Sequence, residues 1–227
     1  MKKYNRTYHF SFSPEIKSDD KTLSTQAEKN FINKELIITE KLDGGNACLH
    51  KNLVFARTHA QEASHSSFSM LKSISAILNA YEDRRDILLN HMVFGENMEG
   101  IHSIEYSNLT DPFYIFNIKK ESVWLSWNEI EDLSKQLRLP IVPVIFRGSF
   151  KNIKELEEFL NEELRKESVL GAKREGFVVR PASEFNDNEF SSVVGKYVRN
   201  GHVQTDEHWS KNYKTANFNF VNSKLFQ

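Results

Sequence analysis

The chain has 227 residues, a formal net charge of −1 and a hydrophobic content of 39%, enough for one sizeable domain and too balanced for a globally basic nucleic-acid binder. Cys48 is the sole cysteine, which excludes an intrachain disulfide and a cysteine-built zinc site. The polar start, Met1 to Arg6, lacks a signal peptide's apolar core, and no apolar run nears the roughly 18 residues of a membrane span, so the chain reads as intracellular, soluble and without a membrane partner.

Residues 1–33 are mixed in character. Tyr8 to Phe12 alternates aromatic and polar residues as a short strand does, and Pro14 ends it. Ser18-Asp19-Asp20 is suited to cap a short helix through Gln26 to Phe31. Arg6, His9 and Lys17 read as solvated groups, with a phosphate contact as the alternative. The stretch 36–46, Leu-Ile-Ile-Thr-Glu-Lys-Leu-Asp-Gly-Gly-Asn, is a β-branched run closing on Glu40, a tight loop, and the start of a second strand. Lys41 sits at the loop mouth. A deprotonated amine there is a nucleophile, and burial or nearby positive charge supplies the free base. The plain alternative is a surface hairpin turning on Asp-Gly.

After a turn at Lys51-Asn52, Leu53 to Ala56 returns as a strand and delivers Arg57-Thr58-His59 to its end. Ser66 to Leu89 reads as one helix, with Met70, Leu71, Ile74, Ile77, Leu78 and Tyr81 at helical spacing and Ser66 or Ser67 as its cap. His91 to Glu96 reads as a buried strand, and Asn97 to Tyr106 as a loop. Phe113 to Ile118 and Ser122 to Leu125 pair as strands about a Lys119-Lys120 turn. Asn128 to Arg138 and Ile153 to Arg165 are amphipathic helices. Ile141 to Phe146 is a strand whose Pro143 confines it to an edge or a bulge. Arg174 to Arg180 opens a strand with a carboxylate and a glycine, Ser183 to Glu189 is a polar loop, and Ser192 to Arg199 is the last strand. Strands interleaved irregularly with helices give an α+β fold with mainly antiparallel sheet.

Lys41, Asp43, Arg57, Glu96, Glu175 and Lys196 each end or interrupt an otherwise apolar strand. Polar groups in such places are functional or costly. Together they suit nucleotidyl transfer: a lysine attacks an α-phosphate, carboxylates hold Mg²⁺ or ribose hydroxyls, and cations neutralise phosphate. Lys196⁺ and Mg²⁺ are expected to depress the Lys41 pKa.

With these residues in view, the chain resembles the covalent nucleotidyltransferase superfamily of ATP-dependent DNA and RNA ligases and mRNA capping enzymes, and within it the nick-sealing RNA ligases. Lys41-Leu42-Asp43-Gly44 matches motif I, whose lysine becomes adenylylated. Arg57-Thr58 fits the arginine motif that follows, Phe94-Gly95-Glu96 motif III, Phe113 to Ile118 the aromatic motif, Glu175-Gly176-Phe177-Val178 motif IV, and Gly195-Lys196-Tyr197-Val198-Arg199 motif V. Asn46, and Gly95-Glu96-Asn97 followed by Gly100, His102-Ser103-Ile104 and Tyr106, resemble the RNA-ligase versions. Motif V departs from the family, which has two lysines one residue apart. Here Val194 and Val198 flank Lys196, so Arg199 substitutes or the phosphate contact is weaker.

The resemblance implies a ligase-type adenylyltransferase domain over residues 1–199, with 1–33 packed on it as an N-terminal extension. Only a short tail, residues 200–227, follows, too short for a C-terminal oligonucleotide-binding barrel of about five strands. His202, Gln204, Asp206, His208 and Trp209 of that tail either touch RNA or pack back on the sheet. The implied reaction is ATP-dependent joining of RNA 5′-phosphate and 3′-hydroxyl ends through lysyl-AMP and adenylylated RNA. Lys41 is the implied nucleophile. Glu175 organises Mg²⁺ (or Mn²⁺), and Glu96 binds ribose or assists the metal. Lys196 contacts the α-phosphate, Arg57 orients ribose or phosphate, and Phe116 stacks on adenine with Glu40 near the base edge. Asp43 positions Lys41 or acts at the 3′ end, and Asn46 and Arg199 serve the RNA steps. With no Walker-type loop, end healing falls to a separate polynucleotide kinase/phosphatase. The alternatives are a DNA ligase or guanylyltransferase domain using a separate barrel, or a non-catalytic nucleotide- or RNA-binding module.

Overall fold

In the computed structural model of the protein, residues 3–57, 61–201 and 214–225 are described. The first sheet runs β1 (Tyr8–His9), β11 (Gly195–Val198), β9 (Gly176–Pro181), β2 (Leu36–Lys41), β8 (Val144–Gly148). The second runs β10 (Phe185–Asn186), β7 (Val123–Trp124), β6 (Phe113–Lys120), β5 (Met92–Asn97), β3 (Gly45–His50), β4 (Leu53–Ala56). Every pairing is antiparallel except β1 with β11, so the α+β architecture expected from the sequence is the one observed.

β2 is an interior strand, between β9 and β8, and its side chains serve two cores by strand alternation. Ile37 enters the largest core, where α2 (Ser69–Asn79), α3 (Glu82–Asn90) and α4 (Trp127–Leu137) pack on the second sheet. Leu36 and Ile38 point the other way, onto Leu156 and Leu160 of α5 (Ile153–Glu163) and onto Phe10, Leu23 and Phe31 of the N-terminal segment. A third cluster holds Cys48, Phe94 and Trp124 of the second sheet, Phe190 and Val193 of α6 (Phe190–Val193), and Val194, with Val178 of the first sheet against it.

The chain leaves the first sheet at Lys41 and enters the second at Gly45. This crossing is tight. A Cβ on Gly44 would lie 2.6 Å from the Asn97 carbonyl oxygen and 2.8 Å from Met98 Sδ, so only glycine fits.

Several expectations are corrected. The N-terminal strand is only Tyr8–His9. The short helix is α1 (Thr25–Glu28), capped by Ser24, whose Oγ accepts from the Ala27 N–H at 3.2 Å; Ser18-Asp19-Asp20 do not cap it. The single helix over 66–89 is a 3-10 turn and two helices, with neither Ser66 nor Ser67 as the cap. Ser183–Glu189 contains β10, and α6 occupies the start of the expected last strand. The strand expected over Ile141 to Phe146 is β8, which starts only at Val144, so Pro143 lies just before it; β8 is an edge strand, and its register with β2 shifts at Ile38/Thr39. Among the described residues no helix is long and apolar enough to cross a membrane. Thr58, His59 and the tail positions His202, Gln204, Asp206, His208 and Trp209 lie outside the described residues.

Candidate active site

β2 and β9 pair with Lys41 opposite Gly176, so the residue before Gly176 is carried beside the lysine. Lys41 Nζ lies 2.6 Å from Glu175 Oε1. Across the chain crossing, β3 and β5 place Asn46 opposite Glu96, and directly opposed residues share a face. Lys41, Glu175, Glu96 and Asn46 thus converge from both sheets.

Their electrostatics correct one expectation. Burial alone would lower the Lys41 pKa, but Glu175, Glu96 and Asp43 outweigh it, and the net direction is upward. The amine rests as an ammonium among carboxylates. Glu96 shows the converse effect. Burial is the main cause, Glu175 and Asp43 add repulsion, and its carboxyl is pushed up to about 8 despite the attraction of Lys41. Two crowded hard-oxygen carboxylates are the donor chemistry that Mg²⁺ or Mn²⁺ takes when water and phosphate complete the shell. Among the described residues, no group of three or more His, Cys, Asp or Glu forms a self-sufficient metal cage. Asn46 Oδ1 is buried with no hydrogen-bond partner, as an acceptor awaiting a ligand would be.

Asp43 is buried, and its Oδ2 accepts from the Ser103 N–H at 2.8 Å, the Ser103 hydroxyl at 2.6 Å and the Ile104 N–H at 2.8 Å. Its own N–H donates to the Tyr106 hydroxyl at 3.0 Å. Asp43 therefore pins the 103–106 loop against the lysine loop. Burial holds the nearby His102 imidazole below its ordinary pKa.

Of the remaining candidates, Lys196 is near enough to feel the charges of Lys41 and Glu175. Glu40 points to the α5 side of β2, opposite Lys41, and is fully buried 3.6 Å from Arg174 Nε. Burial raises its pKa, with Ser168 and Arg174 opposing. Arg57 follows β4 and is exposed. Arg199 lies on the Glu40–Arg174 side: its N–H donates to the Glu175 carbonyl at 2.9 Å, and it lines a cavity of about 530 Å³ with Arg165, Lys166, Lys173 and Arg174. Phe116 is half-buried, its ring edge-on to Tyr4 at 5.2 Å. Lys196 on β11 pairs with Asp20 at 3.3 Å.

Tyr4 and Asp20 were not legible as site neighbours, because they reach the site through the fold of residues 3–33, and His9, which reads as a solvated group in the sequence, is buried instead. For His9 a faint signal exists in the alternation of Tyr8 to Phe12. Asp20 follows no spacing rule. Arg174 is marked only by directly preceding Glu175.

No curated protein sequence matches the chain. Among solved structures it is similar to an archaeal ATP-dependent RNA ligase, at 14% identity and TM-score 0.56 over 87% of this chain and 48% of that one. It is also similar to a Naegleria gruberi RNA ligase mutant with ATP and Mn, at 18% identity and TM-score 0.58 over 88% of this chain and 62% of the other. A putative ATP-dependent DNA ligase from Aquifex aeolicus matches at 19% identity and TM-score 0.53, covering 87% and 50%. The chain thus spans about half to three-fifths of these structures, and at such identities they establish the shared fold. A family model described as RNA ligase matches residues 34–198, which include Lys41, Glu96, Glu175 and Lys196, and by that match over well more than half its length the chain belongs to the RNA ligase family.

Proposed function

We propose that the chain is an ATP-dependent RNA ligase that joins 5′-phosphate and 3′-hydroxyl RNA ends through a lysyl-AMP intermediate. The observation that carries this is the Lys41–Glu175 contact of 2.6 Å at the crossing between sheets, with Glu96 facing it from the other side. Lys41 Nζ attacks the ATP α-phosphorus, a P–N bond forms, the bond to the bridging oxygen breaks, and pyrophosphate leaves. Glu175 Oε1 is the nearest acceptor for the ammonium proton. Lys196 offsets charge on the α-phosphate. AMP then passes to the RNA 5′-phosphate, and the 3′-hydroxyl displaces it.

Glu175 and Glu96 would hold the divalent cation. When bound, it neutralises their charge and polarises the α-phosphate. Asn46, with its unpartnered buried oxygen, faces this site and is assigned to the polynucleotide steps. Phe116 is assigned to the adenine and Arg57 to ribose or phosphate. The solved relatives described with ATP and Mn support ATP and a divalent metal as the cofactors. Residues 1–199 form the adenylyltransferase unit. RNA ends of the opposite polarity need a separate kinase/phosphatase before sealing.

The test is incubation with α-labelled ATP and Mg²⁺, followed by a denaturing gel and intact mass. One AMP per chain is expected, abolished in Lys41→Ala, followed by sealing of nicked RNA in preference to nicked DNA. A label retained in Lys41→Ala removes the assigned nucleophile. GTP labelling, or preferential DNA sealing, replaces the RNA-ligase reading with its capping-enzyme or DNA-ligase relatives.

A further inference from the structure

The family match begins at residue 34, so residues 3–33 stand outside it. Yet this segment builds one wall of the site. β1 runs parallel to β11 with His9 in register with Lys196, and the Phe10 N–H donates to the Lys196 carbonyl at 3.0 Å. On the other side of β1, His9 N–H donates to the Lys21 carbonyl at 2.8 Å and Leu23 N–H to the His9 carbonyl at 2.7 Å. The turn before Lys21 therefore delivers Asp20 over the β1–β11 pair. One carboxylate oxygen of Asp20 lies 3.3 Å from Lys196 Nζ. The other lies 3.2 Å from His9 Nε2 and accepts the Lys17 N–H at 3.1 Å. His9 is oriented from behind by Ser13, whose Oγ is 3.1 Å from Nδ1 and also accepts the Val198 N–H.

Lys196 needs such a partner. It is partly buried and feels the positive charge of Lys41, and both effects favour the neutral amine. Asp20 is the nearest anion opposing them, with Glu175 a smaller contribution. The two valines flanking Lys196 in alternate positions, Val194 and Val198, offer no second cation to share its work.

We propose that Asp20 is a positioning residue for adenylylation, its carboxylate holding Lys196 charged and aimed at the α-phosphate, with His9 fixing the carboxylate. The proposal rests on the role assigned to Lys196 above. Asp20 touches no substrate atom and acts through the lysine. The departure of motif V from two lysines is thus matched by a carboxylate from the N-terminal segment.

The experiment measures single-turnover lysyl-AMP formation by the full chain against ATP concentration and pH, for wild type, Asp20→Asn, Asp20→Glu, Lys196→Ala and the double variant. Asp19→Asn is the control, because Asp19 is exposed and, among the described residues, pairs with Arg6. Asp20→Asn is expected to slow the step by about tenfold or more at saturating ATP with KM little changed. Its alkaline limb should move to lower pH, as Lys196 loses the anion that keeps it protonated among Lys41, Glu175 and His9. Asp20→Glu should recover part of the rate. In the Lys196→Ala background the Asp20→Asn change should have no further effect. Independent, multiplicative losses in the double variant, or an unshifted alkaline limb, would overturn the proposal, as would a wild-type rate in Asp20→Asn. If wild type itself forms no adduct, the ligase reading fails first. A lower melting temperature in Asp20→Asn without the pH and double-variant signatures assigns Asp20 to stability alone.

Discussion

His9 is 2% exposed and sits beside one anion, Asp20, and one cation, Lys196, with Lys41 further off. Burial is the largest cause of its shift and Lys196 the next, and together they lower the imidazole to about 4. The folded state therefore keeps His9 neutral where an unfolded histidine, titrating near 6.5, takes a proton. The associated stability is complete above pH 6.5 and is lost as pH falls through the window from 6.5 to 4, by up to ~3 kcal/mol. Urea unfolding at pH 7.5 and pH 5 should show the loss, and His9→Gln should flatten the difference between the two; an equal difference in both proteins would contradict the assignment. Glu99 shows why single residues hide in a sequence. It reads as one more loop carboxylate, yet it is buried, accepting the Ser69 hydroxyl at 2.6 Å and the Met70 N–H at 2.9 Å to cap α2. A cap supplied from 30 residues away leaves no local pattern. Lys41, Glu96 and Glu175 were legible for the opposite reason, each being a charge set at the end of an apolar strand. The direction of the Lys41 pKa was not, because it depends on how many carboxylates the fold brings near.

Elements were read best where one face alone is buried. α4 declares itself with Ile130 and Leu137 inward, visible as spacing, while its Ser126–Glu129 capping box, which starts it at Trp127 rather than Asn128, emerges from the structure. The run from Ser69 to Asn90 misled because its apolar spacing carries through to Tyr81, although Ile77 and Tyr81 are exposed while Leu71, Ile74 and Leu78 are buried. The chain turns at Ala80, and Glu82 and Asp83 then open α3, where acidic residues suit the positive end of the helix dipole. That acidic pair was the available signal for a new start. β10 and α6 are too short to carry any periodicity. β9 tests the fit between elements. A Cβ on Gly176 would collide with the Tyr197 backbone carbonyl of β11, a group that cannot rotate away. Gly176→Ala should force β9 and β11 apart, costing about 3 kcal/mol or more, at the upper end of overpacking effects. Because that pair sets both Glu175 and Lys196, adenylylation should fall with the melting temperature. A variant with wild-type melting temperature would show that the two strands have slack the structure does not display.

The molecule as a whole gathers its candidate site residues where the chain passes between two sheets. Lys41 ends a strand of the first sheet and Asn46 lies in the opening strand of the second, with Glu175 just ahead of β9 and Glu96 on β5 behind them. The order of apolar runs made the α+β class legible, but not which strands share a sheet, since pairings such as β2 with β9 join residues far apart in sequence. Nor could the sequence say that residues 3–33 join the site through β1 pairing with β11. A nucleotide held at the crossing must touch both sheets, so its binding should couple them. Amide hydrogen exchange on Lys41→Ala protein with ATP and Mg²⁺, where the proposed covalent step is removed, reads this directly. Protection is expected at Phe177–Val178 in the first sheet and at Asn46–Cys48 and Phe94–Glu96 in the second, rising along one titration curve. At a nucleotide concentration a hundredfold above Kd, the global stabilisation should approach about 2.7 kcal/mol. Protection confined to the second sheet would mean that the base and ribose bind without engaging motif IV, and the convergence of Lys41 and Glu175 would then belong to folding rather than to catalysis.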